Sequence, residues 1–316
     1  MKEEIREVFT DESIDVDAMR LTREDVAQAA LMSKDEARAL VGLRYSIQKL
    51  RVGTGNKESA HNRKVDILAE PVVIAKLKRM LEVDERAADR ALAAYAKAHK
   101  LGRWAMSNKG VGPVTTAAFL AFFDIRHPGV KAAGNFMSYA GHIDPAIIEA
   151  RWEETRRRPY NARLKTVCFL LGESFKKLKN NPDCYYARFY AERKELEQER
   201  NERGDNAERA RAKLDRAKRK GYKISEAQFE AWNSGKLQAA GVDRRACRYA
   251  VCMFLSHYFH VNYEIEFGRP PARPWVIEHG GHVGYIPPPN WPMAEDLKVA
   301  TKKRGRPRKA EPVGQS

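Results

Sequence analysis

The sequence is poor in cysteine and has no long apolar run. Its four cysteines, Cys168, Cys184, Cys247 and Cys252, are too few and too scattered for a disulfide framework, so we expect reduced thiols in a helical core. No apolar run approaches the roughly 20 residues of a membrane-spanning helix. The start, Met1-Lys2-Glu3-Glu4, is acidic, unlike that of a signal peptide. We therefore expect a cytoplasmic protein with no membrane partner.

Acidic residues are outnumbered by basic ones. The 316 residues include 42 Asp and Glu against 58 Lys and Arg, which gives a formal net charge of +16. This length is enough for one large or two ordinary domains with a real core. Abundant Ala, Glu, Lys, Arg and Leu with few β-branched runs predict a mainly α fold. The surplus of positive charge indicates an anionic partner, and nucleic acid fits better than a membrane surface.

A glycine-rich turn comes directly before an apolar helical pattern. In Lys109-Gly110-Val111-Gly112-Pro113, the glycines tolerate positive φ and leave the backbone uncovered, and proline suits a first helical position. The unpaired N–H groups and the dipole of a helix start attract phosphate. The pattern is typical of the helix-hairpin-helix of sequence-independent DNA binders, although a plain interhelical turn would produce it too. The predicted DNA-binding residues here are Lys109, Gly110, Val111, Gly112, Thr115 and Thr116.

Two further basic segments extend this prediction. Arg156, Arg157 and Arg158 form a basic loop before a helix that carries Lys165, and phosphate contact there competes with a merely solvated loop. Near the end of the chain, Arg304-Gly305-Arg306-Pro307 matches the AT-hook pattern, in which both arginines enter the narrow minor groove of A·T-rich DNA. The alternative is a disordered basic tail that binds any polyanion.

Four histidines suggest a metal site at first sight. His257 and His260 lie one helical turn apart, and His279 and His282 repeat that interval in a glycine-rich loop. A zinc site would be expected to show a recognisable ligand set, but the surroundings of the histidines are aromatic and apolar and no Cys-x-x-Cys pair is present. We therefore expect no metal and no cofactor.

Shifts in composition predict several segments along the chain. We expect a charged pair of long helices broken at Gly204 to project as a solvated arm, because sustained apolar heptads are missing; pairing with another copy is the alternative. Two helices, at about 70–82 and 84–100, should precede the glycine turn, with Gly102 as the stop of the second. The predicted segments are an acidic N-terminal segment (1–38), a helical linker with the helix-hairpin-helix DNA-binding domain (39–183), the charged helical arm (184–240), a second helical part with a Pro-rich extended wrap (241–295), and a disordered basic tail with the AT-hook (296–316).

A series of short blocks extends to either side of the glycine turn. Together they resemble the C-terminal transposase domain of DEDD-type insertion-sequence transposases, the "IS one-ten" family, and Leu43-Arg44-Tyr45 and Gly55-Asn56 are similar to the helical linker before that domain. The resemblance implies a helix-hairpin-helix domain in DNA transposition. The matching blocks are Asn108–Pro113, Asp124-Ile125, Phe136–Gly141, Tyr160–Thr166, Gly172–Phe175 and Arg248–Leu255.

The chain departs from that family where the chemistry would lie. The family pairs this domain with a RuvC-like domain holding four acidic metal ligands, and residues 1–38 are too few for such a sheet. The family's serine nucleophile is expected after Tyr139-Ala140-Gly141, but residues 142–152 contain no serine, and neither Ser138 nor Ser174 has an evident activating group. The sequence assigns no catalytic residue.

These departures leave three interpretations of the chain. We expect a nucleoid-associated protein that binds double-stranded DNA without autonomous strand-transfer chemistry. The first alternative is an active transposase or recombinase subunit that works with a separate DEDD nuclease partner. Beside such a nuclease subunit, a homo-oligomer is the other protein partnership that we consider. The second is a structured-RNA-binding protein, since family members bind guide RNA and the same basic surface would permit it.

Overall fold

The fold consists of helices joined by short loops. A computed structural model describes residues 21–64, 72–273 and 284–294. Over these ranges the chain forms α-helices and one 3-10 turn, without a β-strand, which confirms the predicted mainly α class. No helix in the same ranges is both long and apolar enough to cross a membrane. Most of the predicted acidic segment and all of the predicted AT-hook lie outside the described residues.

The helices divide into two compact units. The described residues of the first unit come from 1–106, 111–127 and 161–167, and those of the second come from 107–110, 128–160 and 168–316. The helices of the first are α1 (Arg23–Gln28), the 3-10 turn (Ala29–Leu31), α2 (Lys34–Lys64), α3 (Val72–Ala98), α4 (Lys100–Met106) and α5 (Pro113–Phe122). Helix α8 contributes residues to both units, and the other remaining helices belong to the second. In chain order they are α6 (Ala133–Tyr139), α7 (Pro145–Thr155), α8 (Ala162–Lys177), α9 (Tyr185–Glu202), α10 (Ala207–Lys220), α11 (Glu226–Asn233) and α12 (Ala239–Phe267).

The first unit is built on the long pair α2 and α3. Their contact includes a buried carboxylate, Glu85 of α3, which forms ion pairs with two arginines of α2. Arg44 lies 3.0 Å from Glu85 and 2.8 Å from Asp89, and Arg51 also pairs with Glu85. A buried carboxylate needs such partners, because removing its charge from water is otherwise costly. These ion pairs fix the register of the two helices.

The prediction of two helices over residues 70–100 was wrong in its boundaries. One helix, α3, runs from Val72 to Ala98, because no proline or glycine interrupts that stretch. Gly102 lies inside α4 and does not end a helix. A Cβ at Gly102 would stand 2.0 Å from the Ala96 carbonyl oxygen and 3.1 Å from Leu120 Cδ1. Glycine is therefore required there for α4 to fold back against the end of α3.

Helix α5 is the apolar centre of the first unit. Its residues from Thr116 to Ala121 are buried, and Phe119 has no exposed surface. Burying a side chain of this size contributes about 2 to 3 kcal/mol. At the far end, the Arg38 guanidinium of α2 donates to the Ala121 carbonyl oxygen at 2.8 Å. The first turn of α5 and its last residue, Phe122, are partly exposed, so the packing leaves the N-terminus of the helix accessible.

The second unit is organised around α12, and this corrects one prediction. Helix α9, the first half of the predicted projecting arm, packs along α12: Tyr186 is buried and its ring meets Phe254 edge-on at 5.2 Å. Further along, the fully buried Glu197 pairs with Arg245 of α12, with Nη2 to Oε1 at 3.1 Å. These side chains tie α9 to α12 over most of its length, so α9 does not project freely.

Helix α10, the second half of the predicted arm, has one packed face. Gly204, with φ of +85°, reverses the chain between α9 and α10, as its position between the charged runs suggested. Ala210, Leu214 and Ala217 are buried at helical spacing, and Ala210 packs with Leu237, Val242 and Trp232. The remaining surface of α10 is exposed and strongly basic.

The described part of the Pro-rich segment, residues 284–294, is mainly extended and lies against α12. The indole N–H of Trp291 donates to Glu264 at 2.8 Å. His257 Nε2 meets the Ile286 carbonyl oxygen at 3.0 Å. Asn290 donates to the Ser107 carbonyl oxygen at 3.2 Å, which links the segment to the start of the glycine turn.

Candidate nucleic-acid interface

Gly112 caps the start of α5 and has an open face. Its φ and ψ of −85° and 164° are ordinary for an N-cap, and Pro113 follows at the first helical position. The Thr116 amide and hydroxyl both donate to the Gly112 carbonyl oxygen, each at 3.0 Å. The amides of Val114 and Thr115 have no acceptor within the helix, as in any first helical turn. Apart from Gly112 itself and its two neighbours in sequence, no atom of the described residues lies within 4 Å of the position that a Gly112 Cβ would occupy, so a ligand has access to this backbone.

Gly110 has a different role from Gly112. Its φ is +97°, and a Cβ there would stand 3.1 Å from Leu178, 3.2 Å from Phe175 and 3.3 Å from the Cys184 sulfur. The Gly110 carbonyl oxygen accepts a hydrogen bond from Ser174 Oγ at 2.8 Å. This glycine is therefore required by backbone conformation and packing against the end of α8. Of the two predicted phosphate-binding glycines, only Gly112 offers an uncovered backbone.

Lys109 is exposed and takes part in a surface ion pair. Its Nζ lies 3.1 Å from Asp183, and both side chains are largely exposed. Such pairs contribute about 0 to 1 kcal/mol, so exchanging Asp183 for a phosphate would cost little. The Lys109 carbonyl oxygen accepts from the Cys184 thiol at 3.0 Å. Burial raises the pKa of this thiol, which keeps it a protonated structural group.

Two of the predicted contact residues are buried. The Thr116 side chain has no exposed surface, and its hydroxyl is engaged by Gly112. Val111 is 6% exposed. The side chains of these two residues shape the turn and do not present groups to a ligand, so their predicted contribution to binding is limited to the backbone of the turn. Thr115, in the first turn of α5, is half-buried, like the two residues before it.

The basic loop after α7 is exposed in full. Arg156 ends α7 in the left-handed conformation, with φ of 54°, and the Arg157 amide donates to Thr155 Oγ1 at 3.2 Å. This turn places the side chains of Arg156, Arg157 and Arg158 outside the packed face of the unit, and all three are exposed. Lys165 is also exposed, on the first-unit part of α8.

A basic surface on α10 was missing from the predicted site. Glu149 of α7 pairs with Arg219 of α10 at 3.2 Å, so the second unit places α7, which leads into the arginine loop, beside α10. The signal was present in the sequence, because Arg209, Lys213, Arg216 and Lys220 recur at helical spacing. The lack of apolar heptads predicted a solvated arm here, so these charges were not part of the predicted site.

One acidic cluster has metal-ligand atoms but is already compensated. Glu173, Asp243 and Cys247 each present a ligand atom within 4.8 Å of the others, and Glu173 and Asp243 also line a cavity of about 550 Å³. The Asp243 carboxylate accepts from Lys176 at 2.6 Å and from Tyr190 at 2.5 Å. Burial opposes its ionisation, but these donors outweigh it and lower the pKa of Asp243. Burial and Asp243 raise the pKa of the Cys247 thiol to about 12, so the cluster is a hydrogen-bonded link between α8, α9 and α12.

Of the four histidines considered for a metal site, the two that the structure describes, His257 and His260, contact the C-terminal segment. His257 is buried, and its Nδ1 lies 2.9 Å from the Tyr186 hydroxyl while Nε2 bonds to Ile286. Burial lowers the pKa of His257 to about 4. His260 Nδ1 bonds to the Tyr285 hydroxyl at 2.6 Å. His279 and His282 lie outside the described residues, as do the AT-hook residues Arg304, Gly305, Arg306 and Pro307.

Comparisons of the chain with family models, curated proteins and solved structures found no match. Function must therefore be argued from the charges and geometry described above.

Proposed function

We propose that this protein binds duplex DNA with little sequence preference, and that it acts in the cytoplasm at the nucleoid, in DNA transposition, recombination or their regulation. The observation that carries the proposal is the uncovered N-terminus of α5 at Gly112, in a chain with a net charge of +16. In this proposal the protein is a relative of the transposase C-terminal domain and has no strand-transfer chemistry of its own.

The proposed contact at α5 is a backbone contact. First-turn N–H groups and the positive end of the helix dipole attract a phosphate oxygen. Lys109, three residues before Gly112 in the sequence, adds a positive charge on a flexible side chain. Contacts of this kind position a duplex and carry no base sequence information. The three arginines after α7 would add phosphate contacts, and the AT-hook would add a preference for A·T-rich minor grooves.

Replacing Gly112 tests the proposal without disturbing the fold. Gly112→Glu places a carboxylate where the phosphate would bind, in open space and at a φ that any residue adopts. Gly134→Glu is the matched control, because Gly134 is exposed and a Cβ there also meets no atom within 4 Å. Affinity for a labelled mixed-sequence duplex, measured by fluorescence anisotropy over a salt series, should fall about tenfold for Gly112→Glu, the equivalent of about 1.4 kcal/mol.

Two results would count against the proposal. If both glutamate variants bind the duplex equally well at every salt concentration, the α5 contact is wrong. If structured RNA displaces the duplex at equal nucleotide concentration while the duplex does not displace the RNA, the partner is RNA. Loss of affinity for Gly112→Glu alone, with a steep salt dependence of wild-type binding, supports duplex DNA as the partner.

A further inference from the structure

Helix α10 carries a straight line of positive charge. The repeat is i, i+4, i+7, i+11, which keeps four basic side chains on one flank of the helix, beside its buried face. All four side chains are exposed, and at 1.5 Å per residue the ends of the line are about 16 Å apart. We call these residues the α10 stripe: Arg209, Lys213, Arg216 and Lys220.

The acidic residues around the α10 stripe do not neutralise it. Arg216 and Lys220 lie 3.8 Å and 4.0 Å from a single carboxylate, Glu149, which also serves Arg219 at 3.2 Å. Three cations thus share one negative charge. Arg209 and Lys213 form no ion pair with an acidic residue in the part of the chain that the structure describes.

The ammonium group of Lys213 lies in surroundings that disfavour its positive charge. Its Nζ is 5.8 Å from the centre of the Trp232 ring and 3.7 Å from the position of a Cβ at Gly241, in the first turn of α12. The N-terminus of a helix carries a partial positive charge of its own. Partial desolvation and the nearby guanidinium groups of Arg245 and Arg244 lower the pKa of Lys213. An anion at this position would relieve the repulsion.

The arginine loop follows the helix that contacts α10. Glu149 of α7, which pairs with Arg219 in the C-terminal half of α10, is seven residues before Arg156. That interval corresponds to about 10 Å along the helix. The loop therefore begins about two helical turns along α7 from the residue around which Arg216, Arg219 and Lys220 gather.

We propose that the α10 stripe, together with Arg156–Arg158, is a surface that binds the phosphate backbone of duplex DNA. The proposal rests on the proposed function and adds a second set of contacts to those at α5. Duplex phosphates recur every 3.4 Å of axis along each strand, so a 16 Å line of cations passes about five of them. Helix α10 itself has no aromatic side chain on which unpaired bases could stack. Because Trp232 lies beside Lys213 and Tyr222 is exposed just after the helix, structured RNA is tested beside the duplex.

A charge-removal variant tests the surface. Arg209→Gln, Lys213→Gln, Arg216→Gln and Lys220→Gln are combined in the full chain, since glutamine is a good helix former and all four positions are exposed. The matched control combines Lys57→Gln, Lys76→Gln, Arg79→Gln and Lys97→Gln, four exposed positions of α2 and α3. Circular dichroism and thermal unfolding check that both variants keep the wild-type fold.

The affinity for a mixed-sequence duplex separates the two variants. Each lost phosphate contact reduces the magnitude of the slope of log K against log salt by about 0.9, so the loss of four contacts in the α10 variant should reduce it by about 3.6 and lower the affinity at 0.15 M salt by at least about 30-fold. The control variant should stay within about threefold of the wild type at that salt. Acetylation of the wild type with and without DNA gives a second measurement: the duplex should protect Lys213 and Lys220 and leave Lys57 and Lys76 reactive.

The remaining outcomes overturn the proposal in different ways. If the α10 variant binds duplex like the control and DNA protects neither Lys213 nor Lys220, the stripe is not a binding surface, and the contact at α5 is unaffected. If the α10 variant loses only structured-RNA binding, duplex DNA is the wrong ligand for this surface. If the wild-type protein binds no duplex even at 0.05 M salt, both this proposal and the proposed function fail.

Discussion

The hydroxyl of Ser174 donates a hydrogen bond to the carbonyl oxygen of Gly110, 2.8 Å away, and so ties α8 to the glycine turn. The two residues belong to separate blocks of the family resemblance. The Ser174 hydroxyl is bonded to a backbone carbonyl, and a carbonyl cannot activate a hydroxyl for nucleophilic attack as a base would. The geometry makes Ser174 a structural residue that fixes the turn.

Ser174→Ala should therefore destabilise the protein. Removing the donor leaves the partly buried Gly110 carbonyl without this bond, at a cost of about 1 kcal/mol. Thermal or urea unfolding measures the change. Ser46→Ala is the control, since Ser46 is exposed and its hydroxyl bonds only within its own helix, to the Gly42 carbonyl oxygen. Equal stability of the two variants would contradict the proposed role of Ser174.

Alanine at the two glycines of the turn should have unequal effects. Gly110→Ala forces a Cβ into a left-handed conformation and against Phe175, Leu178 and Cys184. The conformation alone costs about 1 to 2 kcal/mol. Gly112→Ala meets open space, and loss of glycine at an N-cap costs about 0.5 kcal/mol. Urea unfolding of the two variants should show the larger loss at Gly110; the reverse order would contradict the roles assigned to them.

Glu197→Gln should weaken the contact between α9 and α12. Glu197 is fully buried and pairs with Arg245 and with Arg193 at 2.6 Å. Burial alone would raise its pKa, but these guanidinium groups outweigh it and hold the pKa of Glu197 below its usual 4.5. Because the arginines are partly exposed, we expect a loss of about 2 kcal/mol, below the 3 to 5 of fully buried pairs.

Glu195→Gln, on the exposed side of α9, is the control and should change stability by less than about 0.5 kcal/mol. The stabilisation by Glu197 should be complete above pH 4.5 and be lost as the pH falls through its lowered pKa. A Gln variant as stable as the control at pH 7 would show that this ion pair contributes nothing.

His257 should make the protein less stable in mild acid. Its pKa is about 4 in the folded protein against an ordinary 6.5, because burial disfavours the charged ring. Between these values the unfolded chain binds a proton that the folded protein does not. The free energy of unfolding should therefore fall by up to about 1.4 kcal/mol per pH unit from 6.5 down to 4, and stay level with respect to this residue outside that window.

His257→Gln tests this assignment, because an amide can still donate to Ile286 and accept from Tyr186 while it does not titrate. Unfolding free energies from pH 7 to pH 4 should decline less steeply for this variant than for the wild type. His127→Gln, at an exposed position, should follow the wild-type curve. Parallel curves for all three proteins would show that His257 is not the titrating group.

The AT-hook prediction concerns base composition rather than total charge. Combining Arg304→Gln with Arg306→Gln should reduce the preference for A·T-rich over G·C-rich duplexes, because these side chains are the ones proposed to enter the minor groove. Combining Lys302→Gln with Lys303→Gln removes the same charge beside the hook and should lower affinity for both duplexes alike. Competition binding with the two duplexes measures the ratio, and an identical ratio for both variants would leave only a general polyanion-binding tail.

Local patterns predicted the helices well and their tertiary contacts poorly. The apolar pattern after Pro113 identified α5, and the helix predicted to carry Lys165 is α8, because both signals lie within one helix. The role of Gly110 could not be predicted, since it depends on Leu178 and Cys184, far along the chain.

The packing of α9 is a second such case. Its charged residues predicted solvation, but Glu197 meets a counter-ion on α12 that lies 48 residues later. In the candidate site, the sequence correctly indicated that the arginine loop is exposed, and the backbone at Gly112 is open as well. It did not show which side chains of the turn are buried.

The dependence of Glu197 on Arg245 has a practical consequence for dividing the chain. A fragment that stops at Tyr222 would keep every residue of α9 and α10 but remove the counter-ion from α12, together with the apolar partners Leu237 and Val242 of Ala210. Such a piece would expose a row of aromatic rings and would aggregate rather than display its basic helix. Any shortened version meant for binding studies has to extend at least to Phe267, the last residue of α12.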